Sequence, residues 1–336
     1  MRRFVLFMAA AAVLASAPVS AQTLKTIKER GSLACGVSQG LAGFSARDDK
    51  GAWSGFDVDF CRALAAAIFN DAGKVQYVPL SAADRFNALK AGTIDVLSRN
   101  TTWTLSRETA LGLSFAGVTY FDGQGFLLRT SLKIESALEL GDKSVCTQTG
   151  TTTVSNLADF FGNNRLNYKL VSSTTVEELV KTYESGGCDV MTSDVSQLFA
   201  LRSQLAKPGD HIVLADVISK EPLGPAVRQG DDQWQNIVKW THFAMVNAEE
   251  LGVSSTTIDE AVRSEKPAVR RLVGTEGNSG EQMGLTNDWV ARIVRLVGNY
   301  DEVFERNVGT GSRLGIPRGL NNLWNNGGIQ YAPPID

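Results

Sequence analysis

The sequence predicts an α/β protein of two similar lobes, joined by two chain crossings and followed by a helical C-terminal region. Three observations carry this expectation. From Leu33 onward, short apolar runs alternate with longer helical patterns, the order of βαβ units with right-handed crossovers and a parallel sheet. The alternation restarts near Ser144, after an extended stretch (117–130) rich in Gly and aromatic residues. A second extended stretch, 217–230, follows the second unit, and a double crossing makes a hinge that can close two lobes on something small.

Taken in order, residues 1–21 read as a signal peptide. Arg2 and Arg3 precede an apolar core over 4–15, too short to span a bilayer with ordinary flanks, and Val19-Ser20-Ala21 offers small residues for cleavage before Gln22. Lobe one is expected as a strand at 33–37, an Ala-rich helix at 58–69, a strand at 75–78, a helix at 81–90 and a strand at 94–97. Ser81 stands as N-cap of that second helix, with Asp84 at its third position. Lobe two repeats the pattern with strands at 144–146, 168–171 and 188–191 and helices at 151–161, 175–185 and 194–205. Over 231–251, Trp234, Ile237, Val238, Thr241, Met245 and Ala248 recur at helical spacing, as core does, up to Gly252. Helices at 287–297 and 302–308 precede a polar, Gly-rich end. The expected organisation is lobe one over 22–120, completed by about 224–250; lobe two with hinge segments over 121–223; and an extension, 251–336, packed on lobe one.

Composition narrows the function. The formal charge of −3 over 336 residues becomes more negative once Arg2 and Arg3 are removed, which excludes a basic nucleic-acid footprint. No further apolar run reaches spanning length, so any membrane role goes through a partner. Cys35, Cys61, Cys146 and Cys188 form an even set in an exported chain, with three possible connectivities. Cys35–Cys61 and Cys146–Cys188 are the expected disulfides, because each pair joins neighbouring elements of one sheet. Cysteine spacing fits no zinc pattern and only His211 and His242 are present, so neither metal nor cofactor is expected.

The most informative stretch runs from Ser98 to Ser114. An apolar run, Ile94-Asp95-Val96-Leu97, leads through hydroxyls and amides to Arg107, where a helical turn begins. N–H groups at a strand-to-helix turn lack partners and hold anions; a guanidinium adds a planar fork that fits a carboxylate. This suits capture of a small carboxylate better than chemistry upon it. Arg99 is a weaker candidate. Gly36-Val37-Ser38-Gln39-Gly40 matches a nucleophile elbow, but neither histidine lies in a loop recognisable as its partner.

Several motifs resemble the polar amino-acid solute-binding proteins of ABC transporters. They are Gly43-Phe44-Ser45, Lys50-Gly51, Gly55-Phe56-Asp57-Val58-Asp59, the run 89–95, the Thr102-to-Arg107 spacing, and Gln148-Thr149-Gly150-Thr151-Thr152 ahead of a helix. The resemblance covers about residues 24–250. It is strongest to the longer, general L-amino-acid-binding members, through the tail to Tyr331-Ala332-Pro333-Pro334. It implies a type II periplasmic-binding-protein fold with its ligand between the lobes, a periplasmic monomer, and a permease partner in the inner membrane. It places the carboxylate-binding Arg on Arg107, a backbone donor on Thr102, and a second donor at a lobe-two helix start on Thr152, with Thr151 beside it. Asp194 is then the acid for the α-ammonium, and Asn100 an acceptor that assists it. Two aromatic positions of smaller relatives fall on Leu41 and Ala82, which implies a roomier, broadly specific pocket, with Trp103 or Phe44 as substitutes. The competing expectation on the same fold is a cyclohexadienyl dehydratase, with Asp194 as general acid.

Overall fold

In the computed structural model, which describes residues 22–336, the predicted signal peptide 1–21 lies outside the described residues. After helix α1 (Thr23–Arg30), strand β1 (Leu33–Ser38) is buried along its whole length, as a central parallel strand must be. A small hairpin, β2 (Ala46–Arg47) and β3 (Trp53–Ser54), leads to α2 (Phe56–Phe69), β4 (Val75–Leu80), α3 (Arg85–Lys90) and β5 (Val96–Leu97). Then come α4 (Leu105–Thr109) and β6 (Leu113–Phe115), after which the chain leaves through β7 (Tyr120–Asp122). It builds β8 (Gln124–Arg129), β9 (Lys143–Gln148), α5 (Thr153–Asn163), β10 (Tyr168–Ser173), α6 (Val176–Glu184), β11 (Val190–Asp194), α7 (Val195–Arg202) and β12 (His211–Val213). It returns through β13 (Glu221–Leu223) to β14 (Ala226–Arg228) and α8 (Asp232–Glu250).

Two five-stranded sheets result, in the orders β4-β1-β5-β14-β6 and β10-β9-β11-β8-β12. The predicted parallel βαβ cores are present in both, β1 with β4 and β5, β9 with β10 and β11. The sheets are nonetheless mixed. β8 runs antiparallel to β11, and β14 antiparallel to β5 and β6, because each is the strand by which the chain enters its lobe from the hinge. β7 and β13 pair antiparallel, Asp122 opposite Glu221, as the two crossings.

Helix α3 is shorter than the sequence suggested. Ser81 and Asp84 bond to one another, Oγ to Oδ2, at 2.5 Å, which makes a local turn, and the helix begins only at Arg85. Turn chemistry of this kind competes with helix starts. Trp234 and Met245 lie buried in α8, and the Trp234 indole donates to Asp95 O at 2.9 Å.

Both expected disulfides are formed, Cys35 with Cys61 and Cys146 with Cys188. They tie β1 to α2 and β9 to the residues ahead of β11. Each closes a loop of a length that contributes about 2–4 kcal/mol. Reductant in a thermal melt is therefore expected to lower Tm by several degrees; an unchanged Tm with four titrated thiols would remove the disulfides from the stability of the fold.

The last helices are α9 (Ile258–Ala261), α10 (Pro267–Val273), α11 (Ser279–Gln282), α12 (Trp289–Leu296) and α13 (Tyr300–Asn307). Trp289, Val290, Ile293 and Val294 of α12 are buried, and α12 and α13 both contact α2 and α8. The tail also reaches the hinge. Asn321 brackets Phe121 of β7, accepting from its N–H at 2.7 Å and donating to its carbonyl at 3.0 Å. Tyr300 donates to Thr119 O at 2.8 Å. No helix of the described residues is long and apolar enough to cross a membrane.

Candidate functional site

The site is built on the turn that follows β5. Asp57, in the first turn of α2, accepts from Asn100 N–H at 3.0 Å and Ser98 Oγ at 3.4 Å. Asn100 takes a positive φ of 27° there, which Asn tolerates better than most residues. This kink sends neighbouring side chains apart. Arg99 donates Nε to Leu80 O at 3.0 Å, while Asn100 reaches across to α7, Nδ2 to Gln197 Oε1 at 3.1 Å. Asn100 Oδ1 stays buried without a partner.

Thr104 caps α4 by accepting from Arg107 N–H at 3.2 Å, and Arg107 folds back to donate Nη1 to Thr102 O at 2.8 Å. Its guanidinium lies over Phe86, 5.3 Å from the ring centroid. Arg107 is 8% exposed, and among the described residues it makes no ion pair, so it is not a solvated surface charge. Thr102 N–H takes no part in the two bonds that tie this segment to the hinge, Trp103 N–H to Pro222 O and Gly224 N–H to Thr101 O.

The opposite wall comes from lobe two. Thr151 and Thr152 follow β9 and begin α5. Their hydroxyls are engaged, Thr151 with Gln148 O at 2.7 Å and Thr152 with Glu221 Oε2 at 2.9 Å. Their N–H groups donate to no acceptor among the described residues, leaving the positive end of an 11-residue helix directed at the cleft. Asp194 stands at the N-cap position of α7 yet caps nothing. Asp122 of β7 accepts from Ser196 N–H instead, at 3.2 Å, so the Asp194 carboxylate remains uncommitted. Burial pushes its pKa well above the usual carboxylate range; Asp122 and Glu221 add to the rise, and Arg85 and Arg107 oppose it.

Asn100, Thr102, Arg107, Thr151, Thr152 and Asp194 all line one cavity, together with Arg85, Arg99, Gln148 and Gln197. The enclosed space is about 20 Å³, the room of a single water, so admission of anything larger requires the walls to part.

Two residues that sequence reasoning missed also charge the cleft. Arg85 is 2% exposed, its Nη2 faces Gly150 O at 3.5 Å across the cleft, and its Nε has no partner. As one Arg at a helix start it carries no sequence signal. Glu221, on hinge strand β13, accepts from Thr102 Oγ1 of lobe one at 2.6 Å and from Thr152 Oγ1 and Asn156 Nδ2 of lobe two at 2.9 and 2.6 Å. The acid amid an apolar crossing was its only trace. Glu221→Ala would strand four donors at once, those of Thr102, Thr152, Asn156 and Ser219, so a loss of roughly 1–3 kcal/mol in urea unfolding is expected; an unchanged midpoint would show these bonds to be dispensable.

The expected aromatic substitutes are not in the cleft. Phe44 packs edge-on against Tyr120 and Phe56, and Trp103 stacks on Phe115 with its indole N–H on Glu108. Leu41 and Ala82 are buried and do not line the cavity. The aromatic that backs the guanidiniums is Phe86, 4.8 Å from Arg85. Among the described residues neither histidine bonds to Ser38: His211 pairs with Tyr183 at 2.8 Å and His242 with Gln330 at 3.2 Å. Among the described residues no cluster of three His, Cys, Asp or Glu could hold a metal.

The model of the bacterial extracellular solute-binding proteins, family 3, matches residues 33–255. The chain belongs to that family. It is 54% identical to the general L-amino acid-binding periplasmic protein AapJ of Rhizobium johnstonii, over 97% of this chain and 96% of that one. It is 47% identical to the glutamate/glutamine/aspartate/asparagine-binding protein BztA of Rhodobacter capsulatus, over 97% of each chain. A solved periplasmic binding protein from Brucella ovis, with glutathione bound, superposes with a TM-score of 0.92 at 51% identity, over 94% of this chain and 99% of that one. This solute-binding protein thus has the type II fold that its sequence implied, and the relatives named are binding proteins, not enzymes.

Proposed function

We propose that the chain is the periplasmic receptor of an amino-acid ABC importer, a monomer freed from its signal peptide, which captures L-amino acids by their shared head group. Lobe one offers Arg107 and the Thr102 N–H to the α-carboxylate, and lobe two closes the N–H groups of Thr151 and Thr152 on the same anion. Asp194 and the Asn100 Oδ1 receive the α-ammonium. The observation that carries this reading is the pairing of unmet poles in one buried cleft. Free donors from both lobes stand beside an uncommitted carboxylate and an orphaned amide oxygen, and a zwitterion satisfies both. Because the clamp spans the lobes, ligand stabilises the closed form by its differential affinity for that form. The wall that reads the head group carries no aromatic slot for a side chain, which favours broad specificity, as the name of the Rhizobium johnstonii relative also does. Glutathione, the ligand of the Brucella ovis protein, itself ends in an α-amino acid.

A thermal-shift screen of the twenty amino acids tests this. Several should raise Tm by mass action; a screen in which none does would overturn the proposal. Size-exclusion chromatography checks the monomer, and N-terminal sequencing of exported protein checks cleavage before Gln22.

A further inference from the structure

The first crossing is held by a part of the chain that does not line the head-group cavity. β7 and β13 form a two-stranded ribbon, so each strand has an outer edge whose N–H and C=O groups need partners. On β13 that edge is met from lobe one, where Trp103 N–H donates to Pro222 O at 2.8 Å. On β7 it is met from the C-terminal region. The Asn321 side chain takes both main-chain groups of Phe121, N–H and C=O, and so stands in for a neighbouring strand. Nearer lobe one, Thr119 O accepts from the Tyr300 hydroxyl at 2.8 Å and from Gln330 Nε2 at 3.3 Å. All three side chains are buried. They lie beyond residues 33–255, the stretch that matches the family.

The grip is anchored to lobe one. Arg318 donates Nε and Nη2 to Asn321 O at 3.1 and 2.9 Å, and it pairs with Glu249 near the end of α8 at 3.1 Å. Helix α8 packs on α2, so Phe121 moves with that lobe. Two residues later the chain already belongs to lobe two, where Gly123 O accepts from Val195 N–H of α7 at 2.8 Å. Asp122 lies alone between the two attachments. On the return, Ile218 N–H donates to Gln124 O of lobe two at 2.9 Å and Pro222 O is held by lobe one, which leaves 219–221. With both peptide groups of Phe121 fixed, its own dihedral angles cannot absorb a rotation, and bending is confined to these few positions.

We propose that Asn321, supported by Tyr300 and Gln330, is a positioning residue for ligand capture, which confines the hinge and thereby raises the affinity for every ligand by one common factor. The direction of the effect is the same whether or not the grip survives opening. If it survives, its loss widens the open ensemble and leaves the closed form, with its lobes in contact, little changed. If it breaks, its loss removes bonds that the closed form alone makes. In both cases the binding-competent fraction falls, and apparent affinity falls with it. The inference rests on the reading of the cleft as an amino-acid site that closes on its ligand.

Calorimetry of the full mature chain with L-glutamate, L-glutamine and L-alanine, together with small-angle scattering of ligand-free protein, tests this. Asn321→Ala should weaken each of the three that binds wild type by about threefold or more, with factors equal within about twofold, and should enlarge the ligand-free radius of gyration. Tyr300→Phe, which deletes one hydroxyl and keeps the ring, should act in the same direction with smaller effect, and carries the test should Asn321→Ala not fold. Val294→Ala, which thins the packing of α12 on α2 and spares these bonds, should lower Tm and leave affinities within about twofold. Affinities of Asn321→Ala within twofold of wild type, or losses that differ widely from ligand to ligand, overturn the proposal, as does an equal loss of affinity in Val294→Ala. Failure of all three amino acids to bind wild-type protein overturns the head-group reading instead. Scattering then decides alone, and an unchanged ligand-free radius in Asn321→Ala overturns the grip.

Discussion

Arg107→Ala is expected to cost about 2–5 kcal/mol of amino-acid affinity, a loss of roughly 30- to several-thousandfold, measured by calorimetry against glutamate or glutamine. The size follows from burial. Arg107 is held by Thr102 O and backed by Phe86, so its charge is fixed and partly desolvated before a ligand arrives. A carboxylate drawn into the closed cleft without it would leave water and find neutral N–H donors with only Arg85 and Arg99 as cations. Folding should suffer less than binding, because Arg107 makes one hydrogen bond through its side chain and no ion pair among the described residues. Lys in its place would restore charge but not the fork, so Arg107→Lys should fall between. Affinity of the Ala variant within twofold of wild type would remove Arg107 from the site.

Much of this arrangement was legible in the sequence, for a physical reason. Ser98 to Arg107 and Gln148 to Thr152 are both strand-to-helix turns, and such turns advertise themselves by hydroxyl and amide residues between an apolar run and a helical one. The stretch with Arg107 stood out that way, while the roles of Asn100, Thr102, Thr151, Thr152 and Asp194 came from the family resemblance; all six residues line one cavity. The disulfides were legible because each joins elements adjacent within one βαβ sheet. Arg85 and Glu221 were not. Arg85 matters only because the turn at 81–84 delays the start of α3 and folding brings its guanidinium against Gly150 from the other lobe. Glu221 matters because a hinge strand is the one place from which a single carboxylate can touch both lobes, and nothing local in Lys220-Glu221-Pro222 records that.

The misplaced aromatics have a related cause. Phe44 and Trp103 stand in sequence next to site motifs, but a side chain beside a motif can turn either way. Phe44 is buried against Tyr120 at 5.5 Å and Trp103, half-buried, stacks on Phe115 at 5.7 Å between centroids, and packing of rings this large outweighs a place in the cleft. The wider space of the cleft lies beyond Arg99 rather than around the head group.

Asp194→Asn should cost about as much affinity as the loss of Arg107, and should also change how binding depends on pH. In the protein alone, the Asp194 carboxyl is pushed well above the usual carboxylate range, first by burial, then by Asp122 and Glu221. Only the ionised form can pair with an α-ammonium. As pH falls through the raised pKa, a proton competes with the ligand, so affinity for amino acids should weaken before ordinary carboxylates titrate. Binding near that pKa should release a proton, detectable as a dependence of calorimetric heat on buffer ionisation. The Asn variant loses this component and keeps whatever Asp57 contributes, whose pKa is raised to about 7. Stability without ligand runs the other way. A folded-state pKa above the unfolded value means that the native state holds the extra proton, so Asp194 detracts from stability as pH rises through its folded pKa. The Asn variant should therefore gain Tm relative to wild type at pH 8 and gain less at pH 5. A variant that binds worse, melts higher, and does both more strongly at high pH identifies a buried charge kept for its ligand at the expense of the fold. Equal melting of the two proteins at both pH values, with an unchanged pH profile of binding, would return Asp194 to an ordinary place at the end of a strand.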